Sequence, residues 1–453
     1  MLLNLQREAL AYFDRYASPE NGLVRDSSAA GASASVAGSG MAMASWVIAA
    51  ERGHCSRDDA VARTLSALRF LWDAPQSDGG KATGFHGLFY HFLDFESGRR
   101  AGHSELSTVD SGIAVIGALV ARQYFSRDTA AEAEIRQLAD SIYLRVDWAW
   151  ACDASGALSH GWRPGRGFIP YAWRGYNEAL FLYILGLGSP THPLDAPAYD
   201  EWTSTYRWKR VYGHDYLYGG PLFVHQLSQS FIDFRGIQDA FMRDRGSDYF
   251  ENSRRAVAVQ REYARRNPGK FAGYSEDCWG ITASHGPGPS RRAADDGGRK
   301  FHGYRARGVP FGADDGTLSP WSVAASLPFA PEHVEAALDH FAVAHPEVHG
   351  QSGYRCSFNP SFSSGLSGDQ QWCSDVCYAI DQGPAAMMIE NHFTGLIWRL
   401  LYGCPYIRTG LARAGFTGGW LDATVETRYP SPAVDTAGLS RPTVSTGLKP
   451  RRG

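Results

Sequence analysis

The sequence predicts an all-α fold, a single toroid of helical hairpins with long functional loops at one end. Three observations carry that prediction. Apolar residues recur at helical spacing over much of the 453-residue chain. Alternating, strand-like patterns are scarce. Long loops rich in Gly, Pro and aromatic residues separate the helical stretches. A helical bundle followed by a separate helical domain is the alternative arrangement.

Taken in order, the chain opens with an amphipathic helix over Leu2–Tyr16. Gly40–Glu51 and Arg57–Trp72 follow, the second with Ser56 as its cap. The stretch FHGLFYHFLDFESG (85–98) is the best strand-like pattern and reads as a short hairpin near a rim. Helices then fall on Leu106–Phe125, on Thr129–Trp148 with Asp128 ahead of it, and on Tyr176–Leu187. Asp248–Arg266 comes next, then Ala330–Ala344, whose first turn carries Pro331 and Glu332, and finally Gly383–Tyr402. Between them, Ser155–Arg174, Val211–Pro221 and Gly273–Gly316 are loops long enough to form binding surfaces. Gly286–Lys300 reads as a flexible insertion, and the tail from about Tyr429 as disordered.

Composition narrows the function. With 44% hydrophobic and 20% charged residues the chain is globular in type. No run reaches 18 apolar residues, so no membrane span is expected. The first residues lack the basic head, apolar core and cleavage site of an export signal. That places the chain in the cytoplasm as written, or in the periplasm if a signal was removed. A net charge of −3 with scattered basic residues argues against nucleic acid as a partner. Thirteen Trp and 22 Tyr are more than a helical core needs, and aromatic faces backed by polar groups bind sugars; aromatic-rich cores give the same count. Seven cysteines make no disulfide framework in a chain of this length, and Cys373 and Cys377 lack the second pair that a zinc site would need. Buried thiols are the simpler reading.

No phosphate loop, GxGxxG after a strand, HExxH or GxSxG occurs, so no cofactor and no metal are expected. Carboxylates set among Gly, Trp, Tyr and His remain. In HSELSTVDSG, Glu105 and Asp110 stand at the mouth of an apolar helix that Ser104, Ser107 or Thr108 can cap; ordinary first-turn acids look the same. In WRGYNEALFLYILGLG, Glu178 precedes nine apolar residues, beside Trp173 and Tyr176. Desolvation there would raise its pKa as a general acid requires, while the helix N-terminus opposes the rise. In YAIDQGPAAMMIENHFTGLIW, Asp381 stands at the start of an apolar helix. Glu390 and Asn391 fall in its middle, where a charge must be paired or face a cavity. YSEDCWGITASHGP holds Glu276, Asp277, Trp279 and His285, and DDGTLSPWSVAASLPFAP is polar before turning helical.

Together, in this order, FHGLFYHFLD, SELSTVDSG, GYNEALFLYILGLGSPTHP, SEDCWGITAS, DGTLSP, SLPFAP, IDQGP and MIENHFTGLIWRL resemble the bacterial glucoamylase-like family over about Leu5 to Phe416. Its better-known members are endo-β-1,2-glucanases, with related cyclising transglycosylase domains (glycoside hydrolase families 144, 162 and 189). The resemblance implies an (α/α)6 toroid over residues 1–428 with the active site in a cleft at one end, and a β-glucan substrate. It implies Glu178 as general acid and Asp381 as the base that activates water in inverting members, with Glu105 and Asp110 beside the reacting sugar. In a retaining relative the nucleophile would come from that last block. Inverting enzymes hold their two carboxyls ~6.5–9.5 Å apart and retaining ones ~5–5.5 Å. Phe85, Tyr90, Trp173, Tyr176 and Trp279 are candidates to stack on sugars, and His86, Asp94, Arg99, Glu390 and Asn391 to bind hydroxyls; core packing is the competing reading for each aromatic.

Three departures fall where substrate subsites are expected. His392 and Phe393 replace residues closer to Tyr-Arg, Gly286–Lys300 interrupts a cleft loop, and QSGYRCSFNPSF is unusual in its Arg355-Cys356. Linkage and chain-end preference therefore stay open. An inverting endo-β-1,2-glucanase is the leading expectation, with a retaining transglycosylase or exo-acting glucosidase as the alternative. A non-catalytic glucan-binding protein is the reading from another class, opposed by the full set of acids.

Overall fold

The computed structural model describes residues 1–288, 300–363 and 371–423. Most of the insertion expected over Gly286–Lys300 and all of the tail from Tyr429 lie outside the described residues. The fold is rich in helix. Helices α1 (Leu2–Arg15), α2 (Val36–Glu51), α3 (Arg57–Asp73), α4 (Thr108–Tyr124) and α5 (Ala130–Arg145) form the first part. They are followed by α6 (Leu180–Gly188), α7 (Pro197–Thr203), α8 (Phe223–Phe231), α9 (Ala240–Asp244) and α10 (Tyr249–Arg266). The last five are α11 (Pro320–Ala324), α12 (Pro331–Ala344), α13 (Ala379–Phe393), α14 (Leu396–Tyr402) and α15 (Pro405–Arg413).

The caps explain most of the boundaries. Ser35, Ser56, Ser107, Thr129, Asp239 and Asp248 each accept a backbone N–H from the first turn of the helix that follows. Thr129 itself, rather than the expected Asp128, caps α5. Helix α6 starts at Leu180, so Glu178 lies in the turn leading into it and not in its first turn. The run expected as one helix from Gly383 to Tyr402 begins earlier, at Ala379. It is then divided by Gly395, whose φ of 65° no ordinary helical residue adopts.

Two kinds of helix are distinguished by burial. Every residue of α2 from Val36 to Ala49 is buried, every residue of α6, and nearly all of α4 and α13. Helices apolar on all sides must be surrounded by protein. Helices α1, α3, α5, α10 and α12 bury one face only. Contacts run in a closed circuit from α2 to α4, α4 to α6, α6 to α8, α8 to α13 and α13 back to α2. Outside it, α1 packs on α13 and α2, α3 on α2 and α5, α5 on α4, α15 on α6 and α10 on α8. The α2–α4 contact is backbone on backbone. A Cβ on Gly117 would run into the carbonyl of Gly40, and one on Gly40 into the backbone of Ile113 and Ala114.

Strands are short and lie in the connections. Gly84–Phe85, Leu88–Tyr90, Leu106–Ser107, Gly161–Arg163 and Gly167–Phe168 form an antiparallel five-stranded sheet, which contains the expected hairpin. A second sheet joins Val24–Arg25, Ala34–Ser35 and Phe92–Leu93. Among the described residues, no helix is long and apolar enough to cross a membrane.

Candidate active site

The buried helices present their N-terminal ends to one cavity of about 500 Å³. Ser35 and Ala37 come from the start of α2, Val109 and Asp110 from α4, and Glu178 from the turn before α6. Phe223 and Gln226 come from α8, Trp321 from α11, and Tyr378, Ile380, Asp381 and Pro384 from the start of α13. Each helix start brings unpaired N–H groups and the positive end of a dipole, so this end of the molecule favours anionic side chains. The connecting segments add Asp26, His91, His285, Tyr304 and Cys356.

Asp110 and Glu105 are held by one histidine. His91 Nδ1 lies 3.0 Å from Glu105 Oε1 and its Nε2 lies 3.8 Å from Asp110 Oδ1. Burial works against charge on His91, but Asp110, Glu105 and Asp26 outweigh it and hold the imidazolium up at about 9. The hydrogen bond from His91 in turn lowers the Glu105 carboxyl. Ser107 Oγ, the cap of α4, donates to Asp110 Oδ2. Glu105 thus reaches the cavity only through His91, and both acids of this block are supplied with donors.

Glu178 is in the opposite situation. Burial pushes its carboxyl up to about 7, and the Asp110 carboxylate adds to the rise. The Phe181 N–H is taken by Ser228 Oγ, which itself donates to the Glu178 carbonyl, fixing the backbone of this turn against α8. The desolvation expected from the apolar run of α6 outweighs the opposing hydrogen bond from the Glu178 N–H.

Asp381 is buried in the first turn of α13. Burial holds its carboxyl well above the usual carboxylate range; the Cys356 thiol hydrogen-bonds to it and pulls the other way, and Asp26 adds to the rise. Among the described residues no group hydrogen-bonds to Asp381 Oδ2. Asp26, next to it, is raised to about 6 by burial, with His91 opposing and Asp110 adding. The Asp26 carbonyl accepts the Ala379 N–H at 2.9 Å, which ties this loop to the start of α13.

An aromatic stack closes the remaining side. His285 lies on Tyr378 at 5.1 Å, nearly parallel, and Tyr304 packs against His285 at 5.4 Å. Tyr304 is 68% exposed and stands at the rim. The backbone next to each residue is braced by Arg307, fully buried, which pairs with Asp315 at 2.7 Å and donates to the Ser284, His302 and Gly303 carbonyls. That accounts for the polar DDGTLSP stretch. Asp315 anchors Arg307, and Asp314 accepts from Tyr263 and Tyr274.

Several residues expected to contact sugar are elsewhere. Glu390 is fully buried in an ion pair with Arg52 at 2.7 Å and also accepts from Gln6 and Thr394, so the structural pairing and not a ligand satisfies its charge. Asn391 bridges the Ser230 carbonyl and the Trp398 N–H. Trp279 is fully buried in the second hydrophobic core, and Tyr90 in the first, under the Arg100 guanidinium. For these four the core reading replaces the sugar-binding one. Trp173 stacks on His160 and donates to Thr108, and Tyr176 hydrogen-bonds to His225; neither lines the cavity. His86 pairs with Asp147 and stacks on Trp150, beside Phe85. Asp94 caps the turn at Ser97, and Arg99 is on the outer side of the same turn. None of these lines the cavity either.

The family model Glycoamylase, described as "Putative glucoamylase", matches residues 170–405. An exo β-1,2-glucooligosaccharide sophorohydrolase (non-reducing end) of Parabacteroides distasonis is 28% identical over 91% of this chain, which spans 57% of that protein's length. Among solved structures, an endo-β-1,2-glucanase from Chitinophaga pinensis, in complex with sophorotriose and glucose, has a TM-score of 0.79. It is 27% identical, over 93% of this chain and 98% of that one. A β-1,2-glucanase from Parabacteroides distasonis is 26% identical with a TM-score of 0.79, over 91% of this chain and 59% of that one. With more than half of its length matched by the family model, the chain belongs to the glucoamylase-like family.

Proposed function

We propose that this chain is a glycoside hydrolase of β-1,2-glucan, working by acid and base carboxyls in an (α/α)6 toroid over residues 1–428. The observation that carries this reading is the convergence of Asp110, Glu178 and Asp381 on one cavity at the N-terminal ends of the buried helices. The circuit α2–α4–α6–α8–α13, with its outer layer, supports the toroid. The names of the relatives supply the β-1,2 linkage.

Glycoside cleavage needs a protonated carboxyl at the leaving oxygen and an ionised one at the attacking water. Glu178, raised to about 7, keeps its proton at neutral pH far more than an ordinary Glu and is the general acid. Its proton passes to the glycosidic oxygen as the C1–O bond breaks. Asp381, in its ionised form, takes a proton from the water whose oxygen bonds to C1 on the opposite face, giving inversion. His91, as imidazolium, lowers the Glu105 carboxyl and stands beside Asp110 at the cavity wall. Endo cleavage is the mode we favour. The sophorohydrolase relative supports a second mode, release of disaccharide from a chain end.

The test is reducing-sugar release from linear β-1,2-glucan, with β-1,3-glucan and starch alongside, for wild type and Glu178→Gln. Oligosaccharides from the β-1,2 polymer alone, with at least ~10²-fold loss in the variant, support the proposal. Proton NMR of the first-formed anomer reads inversion, and a ladder of products against sophorose alone separates endo from exo. No release from any of the three polymers overturns it.

A further inference from the structure

We propose that Cys278, His340 and His345 form a binding site for a zinc-class divalent metal ion, outside the carboxylate cavity. One donor atom from each lies within 4.8 Å of the other two. The Cys278 sulfur is 3.9 Å from His345 Nε2. Tetrahedral zinc, with bonds of ~2.0–2.3 Å, sets its ligands about 3.5 Å apart, so small side-chain rotations close the site. Cys278 and His345 are buried while His340 is half-buried, which gives the ion a way in and leaves the fourth position to water. One thiolate and two imidazoles select zinc-like ions over calcium or magnesium.

Support behind the ligands is a second, separate observation. On the far side of the His345 ring, Nδ1 is 2.8 Å from the Gln371 amide and 4.0 Å from Glu347 Oε1. A metal-ligating histidine characteristically gives its other N–H to a carboxylate or carbonyl; the Gln371 Nε2 facing Nδ1 also donates to Glu347, and Glu347 is the carboxylate that takes the His345 N–H when that amide moves aside. On binding, the Cys278 S–H proton leaves to solvent as the S–metal bond forms. The His345 proton shifts from Nε2 to Nδ1, so one proton is released per ion. None of the three ligands lines the carboxylate cavity, and Cys373 and Cys377, the pair prominent in the sequence, are not among them. The bound ion would tie the end of α12 to the Ser275–Cys278 turn. Through Gln371 it would also reach the strands Phe358–Ser363 and Gln371–Cys373, next to Cys356 of the cavity wall.

The experiment is titration of the full, reduced and metal-stripped chain with Co²⁺, followed by its thiolate charge-transfer band, with Zn²⁺ as competitor. One equivalent of Co²⁺, displaced by Zn²⁺, is expected. Cys278→Ser loses the band, and His340→Gln, at a half-buried position that tolerates change, binds at least ~10-fold more weakly with its circular dichroism unchanged. Zn²⁺ at one hundred times its Kd raises the wild-type Tm by about 3 °C or more, reversed by EDTA and absent in His340→Gln. No band in wild type, no Tm shift, or a band that survives in Cys278→Ser and so belongs to another of the seven cysteines overturns the proposal. None of these readouts depends on hydrolysis of glucan.

Discussion

Glu178→Gln should make the protein more stable as it destroys activity, and the gain should depend on pH in a way fixed by one carboxyl. In the fold this carboxyl is raised from its ordinary 4.5 to about 7. The folded state therefore holds the proton more tightly than the unfolded chain. Below about pH 4.5 both states are protonated and nothing is lost. As pH rises from 4.5 to 7 the unfolded chain ionises first, and stability falls. Above 7 the full cost, about 3 kcal/mol, is present. Glutamine carries no such cost. The difference in unfolding free energy between variant and wild type should thus be about 3 kcal/mol larger at pH 8 than at pH 4. Because only the change with pH is read, the intrinsic effect of the amide cancels. Urea unfolding at a series of pH values measures it, with β-1,2-glucan hydrolysis falling ~10²–10⁴-fold in the same variant. A variant-minus-wild-type difference that is flat from pH 4 to 8 would refute the raised carboxyl, and with it the reason for choosing Glu178 as acid.

The pH dependence of kcat/KM should be a bell displaced to the alkaline side of what two ordinary carboxyls give. Both limbs lie above the ordinary carboxyl range, because burial raises Glu178 to about 7 and holds Asp381 well above 3.8; an optimum at about pH 4 would sink the assignment. Cys356→Ala removes a hydrogen bond that favours the Asp381 carboxylate, so it should move the rising limb further up, and a limb that stays in place argues against that bond. Glu390→Ala strips Arg52 of a buried partner and should cost about 3 kcal/mol in urea unfolding while leaving KM for glucan unchanged; a raised KM at full stability would restore the substrate-contact reading. His91, raised from 6.5 to about 9, contributes up to about 3 kcal/mol that is complete below pH 6.5 and lost as pH rises through 9. His91→Gln should flatten the stability profile across that window, as Tm against pH would show.

Helices with a consistent apolar pattern were legible from sequence, and those whose pattern is broken by buried polar residues were not. Helix α8 reads FVHQLSQSF, and Gln226, Ser228, Gln229 and Ser230 are all buried there, each spending its polar group on a neighbouring helix, on the turn before α6 or on its own backbone. Periodicity cannot register a core of that kind. Helix α15 begins at Pro405, straight after Cys404, and is short enough to pass for the end of α14. At the site, Asp110, Glu178 and Asp381 stand out because each precedes or opens an apolar helix. Asp26 and His91 carry no such mark. Asp26 sits in DSSAAGAS, which reads as a turn, and His91 lies within a strand-like run whose partner acids are identifiable only in three dimensions. The same blindness placed Glu390 and Asn391 at the substrate. A buried acid in an apolar helix announces that it has a partner, but the partner, Arg52, is 338 residues away.

One architectural fact gives these acids different roles. All of them gather at helix N-termini, where the dipoles favour negative charge by a similar amount for each. What differs is the neighbour. Glu105 and Asp110 share the His91 imidazolium, and Asp110 also has the Ser107 hydroxyl, so their charge is matched by donors. Among the described residues Glu178 is paired with no cation; burial and the repulsion of Asp110 outweigh the hydrogen bond from its own N–H, and the proton is its remaining way to be neutral. Asp381 is held well above its ordinary value by the same burial, which the Cys356 thiol offsets only in part. Glu178 and Asp381 therefore compete for protons, and the arrangement we propose as productive has the proton on Glu178 and the charge on Asp381. The Cys356 hydrogen bond biases the proton in that direction. On that proposal the unusual Arg355-Cys356 segment has a physical role, because the Cys356 thiol favours charge on Asp381.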